Sequence, residues 1–221
     1  MPKTREDLPT EMRIPIAGVH LGGELNIPPG ALGLVLFAHG SGSSRHSPRN
    51  QFVARTLREQ GMGTLLFDLL TGAEEGEERL SGHLRFDIGL LARRLLGVTY
   101  WYHERQPAMQ VGYFGSSTGA AAALVAEADG EVPIRAIVSR GGRPDLAGEA
   151  LPRIKAPTLL IVGDRDTQVV DLNRQASARM CCSRELRLIP GATHLFEERG
   201  ALEQVSQMAA QWFARHFRRD R

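Results

Sequence analysis

Cysteine is scarce in this chain: only Cys181 and Cys182 occur among 221 residues, and they are neighbours. Adjacent cysteines rarely bridge to each other, so no disulfide framework is expected, and neither has the spacing of a metal site. Long hydrophobic runs are missing as well. No stretch approaches the roughly 20 apolar residues that span a bilayer, and the opening Met1-Pro2-Lys3-Thr4-Arg5-Glu6-Asp7 lacks the apolar stretch of a secretory signal. Nor does one sign of charge dominate. Twenty-seven basic residues face 25 acidic ones for a net charge of +2, too even a balance to argue for nucleic acid or an anionic membrane. The one basic cluster, Arg215 to Arg221, reads as a solvated helix end whose cations complement the helix dipole. These absences predict a cytoplasmic protein with no nucleic-acid partner and no membrane insertion; a homodimer is compatible with them.

What remains is ordinary globular composition, 42% hydrophobic and 24% charged, enough for one substantial core and a single domain over 1–221. Met12 to Ile16 and Val19 to Ile27, around Ala17-Gly18, predict an antiparallel hairpin. The apolar runs Leu32 to Ala38 and Gly63 to Leu69 have the character of strands covered on both faces, which implies a parallel, helix-sandwiched sheet. A helix begins at Ser47-Pro48 and stops before Gly61. Thr71 to Glu78, acidic and glycine-containing, reads as an exposed loop, and a helix follows over Leu84 to His103. Strands at Ile134 to Ser139, Thr158 to Val162 and Glu185 to Ile189 then alternate with helices at Val169 to Met180 and Ala201 to Phe217. That alternation marks a mostly parallel α/β fold.

The most informative stretch is Met109 to Gly119, which runs into the helix-forming Ala120 to Ala128. A short apolar run, a Gly-x-Ser-x-Gly pentad and a helix former in succession predict strand, tight turn, helix, with Ser117 at the apex. Such a turn forces the serine into a sparsely populated backbone conformation, and Gly115 and Gly119 stand where side chains would collide with it. The pentad alone is a common pattern in a glycine-rich chain, so its weight comes from two further loops at the carboxyl ends of predicted strands. These are Gly163-Asp164-Arg165-Asp166 and Gly191-Ala192-Thr193-His194. Serine, acid and histidine follow in the order of an α/β-hydrolase. A neutral imidazole can take the serine proton, and a carboxylate on its other nitrogen fixes the tautomer. Either Asp164 or Asp166 meets that need from sequence alone.

With His39-Gly40-Ser41-Gly42 following the third strand, the chain resembles the α/β-hydrolase superfamily, in particular its small dienelactone-hydrolase-like members, over essentially its whole length. The resemblance implies a serine hydrolase acting on carboxylic esters through an acyl-enzyme on Ser117, with no cofactor and no metal. Thioesters or lactones are the alternative substrates, and a catalytically silent binding protein is the rival from another class. In dienelactone hydrolases proper the nucleophile is often cysteine; here Ser117 holds the matching position. The family's Gly-x-x-Asp pattern selects Asp166 as the partner of His194. For the oxyanion, the amide of Thr118 follows the nucleophile at a helix start, and the resemblance adds Ser41, with Gly42 the next choice.

Two further expectations concern substrate. Arg140 or Arg143, with Arg45, stands near the expected active-site edge and suits an anionic substrate group, since arginine pairs bidentately with carboxylate. The short passage from Gly141 to the strand at Thr158 leaves little room for a lid domain, so small or exposed acyl groups are expected.

Overall fold

The computed structural model describes residues 10–40 and 42–217. Eight strands form among them: β1 (Thr10–Ile16), β2 (Val19–Asn26), β3 (Leu34–Ala38), β4 (Gly63–Phe67), β5 (Val111–Ser116), β6 (Ile134–Arg140), β7 (Thr158–Gly163) and β8 (Arg184–Ile189). They make one sheet in the order β1-β2-β4-β3-β5-β6-β7-β8. β1 pairs antiparallel with β2, and β2 antiparallel with β4. From β4 onward every pairing is parallel. The hairpin turns at Ala17 and Gly18, both at positive φ (42° and 83°), as a tight two-residue connection requires.

Helices α1 (Pro48–Glu59) and α6 (Ala201–His216) cover one face of the sheet, while α3 (Ile88–Arg105), α4 (Thr118–Asp129) and α5 (Thr167–Arg179) cover the other. Strand alternation divides the core accordingly. Val35 and Phe37 of β3 pack under α1 and α6; Leu34, Leu36 and Ala38 pack on the opposite side. All five residues of β3 and of β4 are buried, which is why both read as unbroken apolar runs. The edge strand β1 alternates exposed with buried residues over its second half, and the other edge strand, β8, is exposed or half-buried at every position but Ile189.

One segment departs from the sequence reading. Thr71 to Glu78 is no loop: Gly72–Ser81 forms α2. Thr71 accepts a hydrogen bond from the Glu74 amide (3.3 Å) while the Glu74 carboxylate accepts from the Thr71 amide (2.7 Å), a reciprocal capping box. The helix is then anchored sideways, by Glu74 to Arg94 of α3 (2.7 Å) and by the buried Glu78 to Arg85. The helix expected over Leu84 to His103 is also split. A single 3-10 turn, Leu84–Phe86, precedes α3, which Asp87 caps by accepting from the Leu90 amide (2.8 Å). Between β6 and β7 the chain makes only the 3-10 segment Pro144–Arg153, broken at Gly148, so no lid is inserted there.

Polar contacts within the core tie the layers together. Thr99 on α3 donates to the Leu95 carbonyl (2.8 Å), leaving its oxygen to accept from the fully buried Tyr113 hydroxyl of β5 (2.7 Å). Tyr113→Phe removes one neutral hydrogen bond without orphaning the Thr99 proton. The expected loss is about 1 kcal/mol, read in urea unfolding as a lower midpoint with unchanged slope.

Candidate active site

Three loops converge at the carboxyl edge of the parallel strands, the edge at which open α/β sheets place ligands. The first turns between β5 and α4. Ser117 sits at its apex with φ 51° and ψ −123°, a conformation that a non-glycine residue occupies only when its surroundings hold it there. Two close approaches do so. A Cβ on Gly119 would stand 2.2 Å from the Ala38 carbonyl oxygen and 2.5 Å from that of His39, and one on Gly115 would stand 2.4 Å from the Ala120 Cα. The turn is therefore wedged between the end of β3 and the start of α4. Hydrogen bonds from the Ser117 amide to the Arg140 carbonyl (3.4 Å) and from the Arg143 amide to the Ser117 carbonyl (3.1 Å) join it to the loop after β6.

The second and third loops meet each other. His194 Nδ1 lies 2.6 Å from Asp166 Oδ2. The Asp166 side chain is 17% exposed and that of His194 41%, so the carboxylate is shielded while the ring keeps an accessible edge. Asp164 takes a different part. Its Oδ1 accepts from the Gly191 amide (2.7 Å), and the Arg165 amide donates to the Ala192 carbonyl (3.0 Å). The two aspartates thus make different contacts: Asp166 reaches the ring and Asp164 ties down the loop that carries it.

Thr118 is the first residue of α4 and is buried; its amide belongs to the first helical turn, where donors have no intrahelical acceptor. Ser41, the expected second oxyanion donor, lies outside the described residues. Gly42 follows at φ 64°. A narrow cavity beside this loop is lined by Gly40, Gly42, Leu69, Leu70, Glu75 and Thr118. Glu75 enters that wall because α2 is a helix. The Thr71-x-x-Glu74 spacing was the available signal for it.

Of the three arginines expected to meet substrate, two are engaged within the protein. Arg45 pairs with Asp68 and, at 3.6 Å, with Glu11; its own amide also donates to Asp68 (2.9 Å). Arg143 makes a two-pronged contact with Asp145, Nε to Oδ1 at 2.9 Å and Nη2 to Oδ2 at 2.7 Å. This corrects the expectation for both, because each guanidinium already has a carboxylate in place. Arg140 differs: it is 9% exposed, and its side chain has no hydrogen bond or ion pair among the described residues. Sequence reasoning missed Asn173 altogether. From inside α5, its buried amide donates to the Gly142 carbonyl (3.0 Å) and fixes the loop after β6.

His39 has a structural setting. Its Nε2 accepts from the Leu69 amide (3.1 Å) and its Nδ1 faces the Gly40 carbonyl (3.0 Å), so the Nδ1–H tautomer satisfies both contacts and staples the end of β3 to the loop after β4. No group of three or more potential metal ligands occurs among the described residues. No described helix is long and apolar enough to cross a membrane.

No family model matches the chain. Among solved structures it is similar to a dienelactone hydrolase from Anabaena variabilis, with 53% identity over 95% of this chain and 99% of that one and a TM-score of 0.92. Est1E from Butyrivibrio proteoclasticus, at 17% identity and TM-score 0.77 over 93% of this chain and 98% of that one, shares the fold. So does a serine hydrolase without a lid from Xanthomonas campestris, at 19% identity and TM-score 0.75 over 94% of each chain. Two Mycobacterium tuberculosis proteins that carry the provisional name phosphoribosyl transferase are 54% identical over 209 residues, 93% of this chain. The chain spans about half of their length (46%).

Burial holds the His39 imidazole below its ordinary 6.5. The unfolded chain therefore gains a proton near pH 6.5 that the folded ring refuses, and stability present above that pH is lost as the pH falls below it. Thermal melts are expected to drop below about pH 6.5, and His39→Asn should make the slope shallower. His216, pushed down by burial and by Arg215, accounts for part of what remains. An unchanged slope in the variant contradicts the assignment.

Proposed function

The chain belongs to the α/β-hydrolase superfamily, within its dienelactone-hydrolase-like group, and from that premise we propose that it cleaves carboxylic esters of small or exposed acyl groups through an acyl-enzyme on Ser117. Hydrolase chemistry is common to its structural relatives. The observation that carries the finer reading is the strained Ser117 at one edge of the sheet, with the Asp166–His194 contact on neighbouring strands at the same edge.

In this reading His194 Nε2 takes the proton as Ser117 Oγ attacks the ester carbonyl carbon. The Asp166 carboxylate accepts from Nδ1–H, keeps the lone pair on Nε2 and stabilises the imidazolium that forms. The developing oxyanion is received by the Thr118 amide together with a donor from the loop after Gly40, Ser41 or Gly42. Collapse of the tetrahedral intermediate breaks the bond to the alcohol, which leaves with the proton from His194. Water, deprotonated by the same nitrogen, then attacks the acyl carbon; Ser117 is released and the acid departs. With no lid after β6, acyl groups are received at an open edge, and α2 with Glu75 supplies one wall.

A second reading, hydrolysis of a lactone, is favoured by the 53% identity to a protein named dienelactone hydrolase. The same steps apply, except that the leaving alcohol stays attached to the acyl group. Thioesters would use the same machinery. The transferase name of the mycobacterial relatives belongs to chains about twice the matched length.

Fluorophosphonate labelling followed by mapping of the adduct tests the scheme. The label is expected on Ser117 and is expected to vanish in His194→Ala; a folded protein that takes no label removes the serine-hydrolase reading. The two aspartates separate in kinetics. Asp166→Asn should lower kcat by about two to four orders of magnitude through the wrong tautomer, whereas Asp164→Asn should lower it less than about tenfold, since it loosens a loop without touching the ring.

A further inference from the structure

Of the glutamates on α2, three have a charged or titratable partner: Glu74 holds Arg94, Glu78 holds Arg85, and Glu77 lies 3.8 Å from His83. Glu75 has none. It is half-buried in the wall of the narrow cavity beside the nucleophile turn, and its carboxylate makes no hydrogen bond or ion pair among the described residues. A second polar group lines the same cavity. Thr118 is 3% exposed, and its Oγ1 is buried without a hydrogen-bond partner among the described residues. A buried hydroxyl left unpaired is destabilising, so such a group calls for a physical reason. The other walls cannot serve it. Leu69, Leu70 and Leu91 are apolar, His39 commits Nε2 to the Leu69 amide and Nδ1 to the Gly40 carbonyl, and Arg85 gives both its Nε and its amide to Glu78.

The cavity adjoins the reacting centre. Gly40, part of its wall, approaches the nucleophile so closely that a Cβ there would stand 2.8 Å from the Ser117 Cβ, and Thr118 follows Ser117 in the chain. Its volume is about 20 Å³ on a scale where one water needs about 10–15 Å³, so a single hydroxyl fits and a ring or a carboxylate does not. We infer that Glu75 and the Thr118 hydroxyl form a specificity subsite for one hydroxyl group on the acyl part of the substrate, borne on carbon 2 or carbon 3. Of the small groups that fit, a hydroxyl matches both partners: its proton goes to the Glu75 carboxylate and its oxygen accepts from Thr118 Oγ1–H. A methyl satisfies neither. An ammonium has only donors, leaves the Thr118 proton without an acceptor and has the Arg85 cation for a neighbour. A hydroxyl bound to the Thr118 side chain also holds the ester carbonyl beside the amide of the same residue, the proposed oxyanion donor. The substrate class rests on the acyl-enzyme reading of Ser117; the hydroxyl-binding pair does not. Such a site discriminates because an acyl group without the hydroxyl leaves two desolvated polar groups unpaired.

The test uses ethyl butyrate, ethyl 2-hydroxybutyrate and ethyl 3-hydroxybutyrate, the last two as separate enantiomers, hydrolysed in a pH-stat. Each kcat/KM is divided by the rate constant for hydroxide-catalysed hydrolysis of the same ester, which removes intrinsic reactivity. One hydroxy ester is expected to exceed the butyrate by about tenfold to a hundredfold, and its position and hand identify where the hydroxyl binds. Glu75→Leu should bring that ratio close to unity. Glu75→Gln, of the same shape with a neutral acceptor, should retain part of it. Thr118→Val, which keeps the backbone amide, should lower it by about threefold to tenfold, the range of a neutral hydrogen bond. Binding supplies a readout without turnover. In Ser117→Ala, saturation-transfer NMR should give the favoured hydroxy ester a lower Kd than the butyrate, and adding Glu75→Leu should equalise the two.

Equal normalised rates for all the esters, or a ratio that Glu75→Leu and Thr118→Val leave unchanged, overturn the subsite and leave the hydrolase reading standing. Slowing of every ester by the same factor in Glu75→Leu also overturns it, since that marks the glutamate as structural. If no ester is cleaved while the Glu75-dependent difference in Kd persists, the hydrolase reading fails and the pair stands as a hydroxyl-binding site. No cleavage together with equal Kd values removes both.

Discussion

The rest of the site depends on one steric constraint, the contact of Gly119 with the last carbonyls of β3. With only a hydrogen at that position, the start of α4 can lie against Ala38 and His39. Because α4 starts there, β5 must end in a turn too sharp for ordinary backbone angles, and Ser117 is left in its positive-φ conformation. Packing on both sides supplies the free energy that holds it. Fully buried β3 and β5 residues lie beneath the turn, and the buried alanines Ala120 to Ala123 of α4 pack against the sheet. Strain of this kind, on the order of 1–3 kcal/mol, persists only where surrounding structure over-determines it.

Hydrogen bonds then orient the loops around that fixed point. His39 joins the end of β3 to the loop after β4, Asn173 holds the loop after β6, and Asp164 holds the loop after β8. None of the three needs to touch a substrate. Each uses a side chain to satisfy loop backbone groups that the strands no longer satisfy, which keeps the loops from sampling other conformations. Asp166 and His194 can then meet although 28 residues separate them in the chain. The electrostatics follow the same division. Arg45 and Arg143 are each held by a carboxylate, Asp68 and Asp145, while Arg140 at the end of β6 keeps a buried Nη1 without a partner among the described residues.

Periodic signals were legible where both faces of an element are buried. Unbroken apolar runs announced β3 and β4, and the shift from that pattern to helical spacing announced α3 and α6, because burial on a sheet or along a helix stripe leaves a regular trace. A mostly parallel sheet with an antiparallel N-terminal hairpin was expected and is observed, whereas the order β1-β2-β4-β3-β5-β6-β7-β8 comes from the tertiary structure alone. Reading failed at α2, where Gly72, Gly76 and four glutamates between Thr71 and Glu78 suggested a loop. Composition there is misleading since the helix is held by its cap and by ion pairs to Arg94 and Arg85, contacts with residues up to 20 positions away. The split before α3 was invisible for a similar reason: Asp87 ends one turn and caps the next.

By itself the sequence determined the kind of chain this is and where its chemistry could lie. Strand, sharp turn and helix around Ser117 follow from local sterics that glycine spacing makes visible, and the serine, acid, histidine order is a property of the chain. Tertiary structure decided which side chains act on which. That Asp166 faces the imidazole while Asp164 bonds to Gly191, and that Arg45 and Arg143 are neutralised while Arg140 is not, depends on distances between strands that the one-dimensional pattern does not contain. A residue type advertises what it can do; only the positions of its neighbours in space determine whether that capacity is already satisfied.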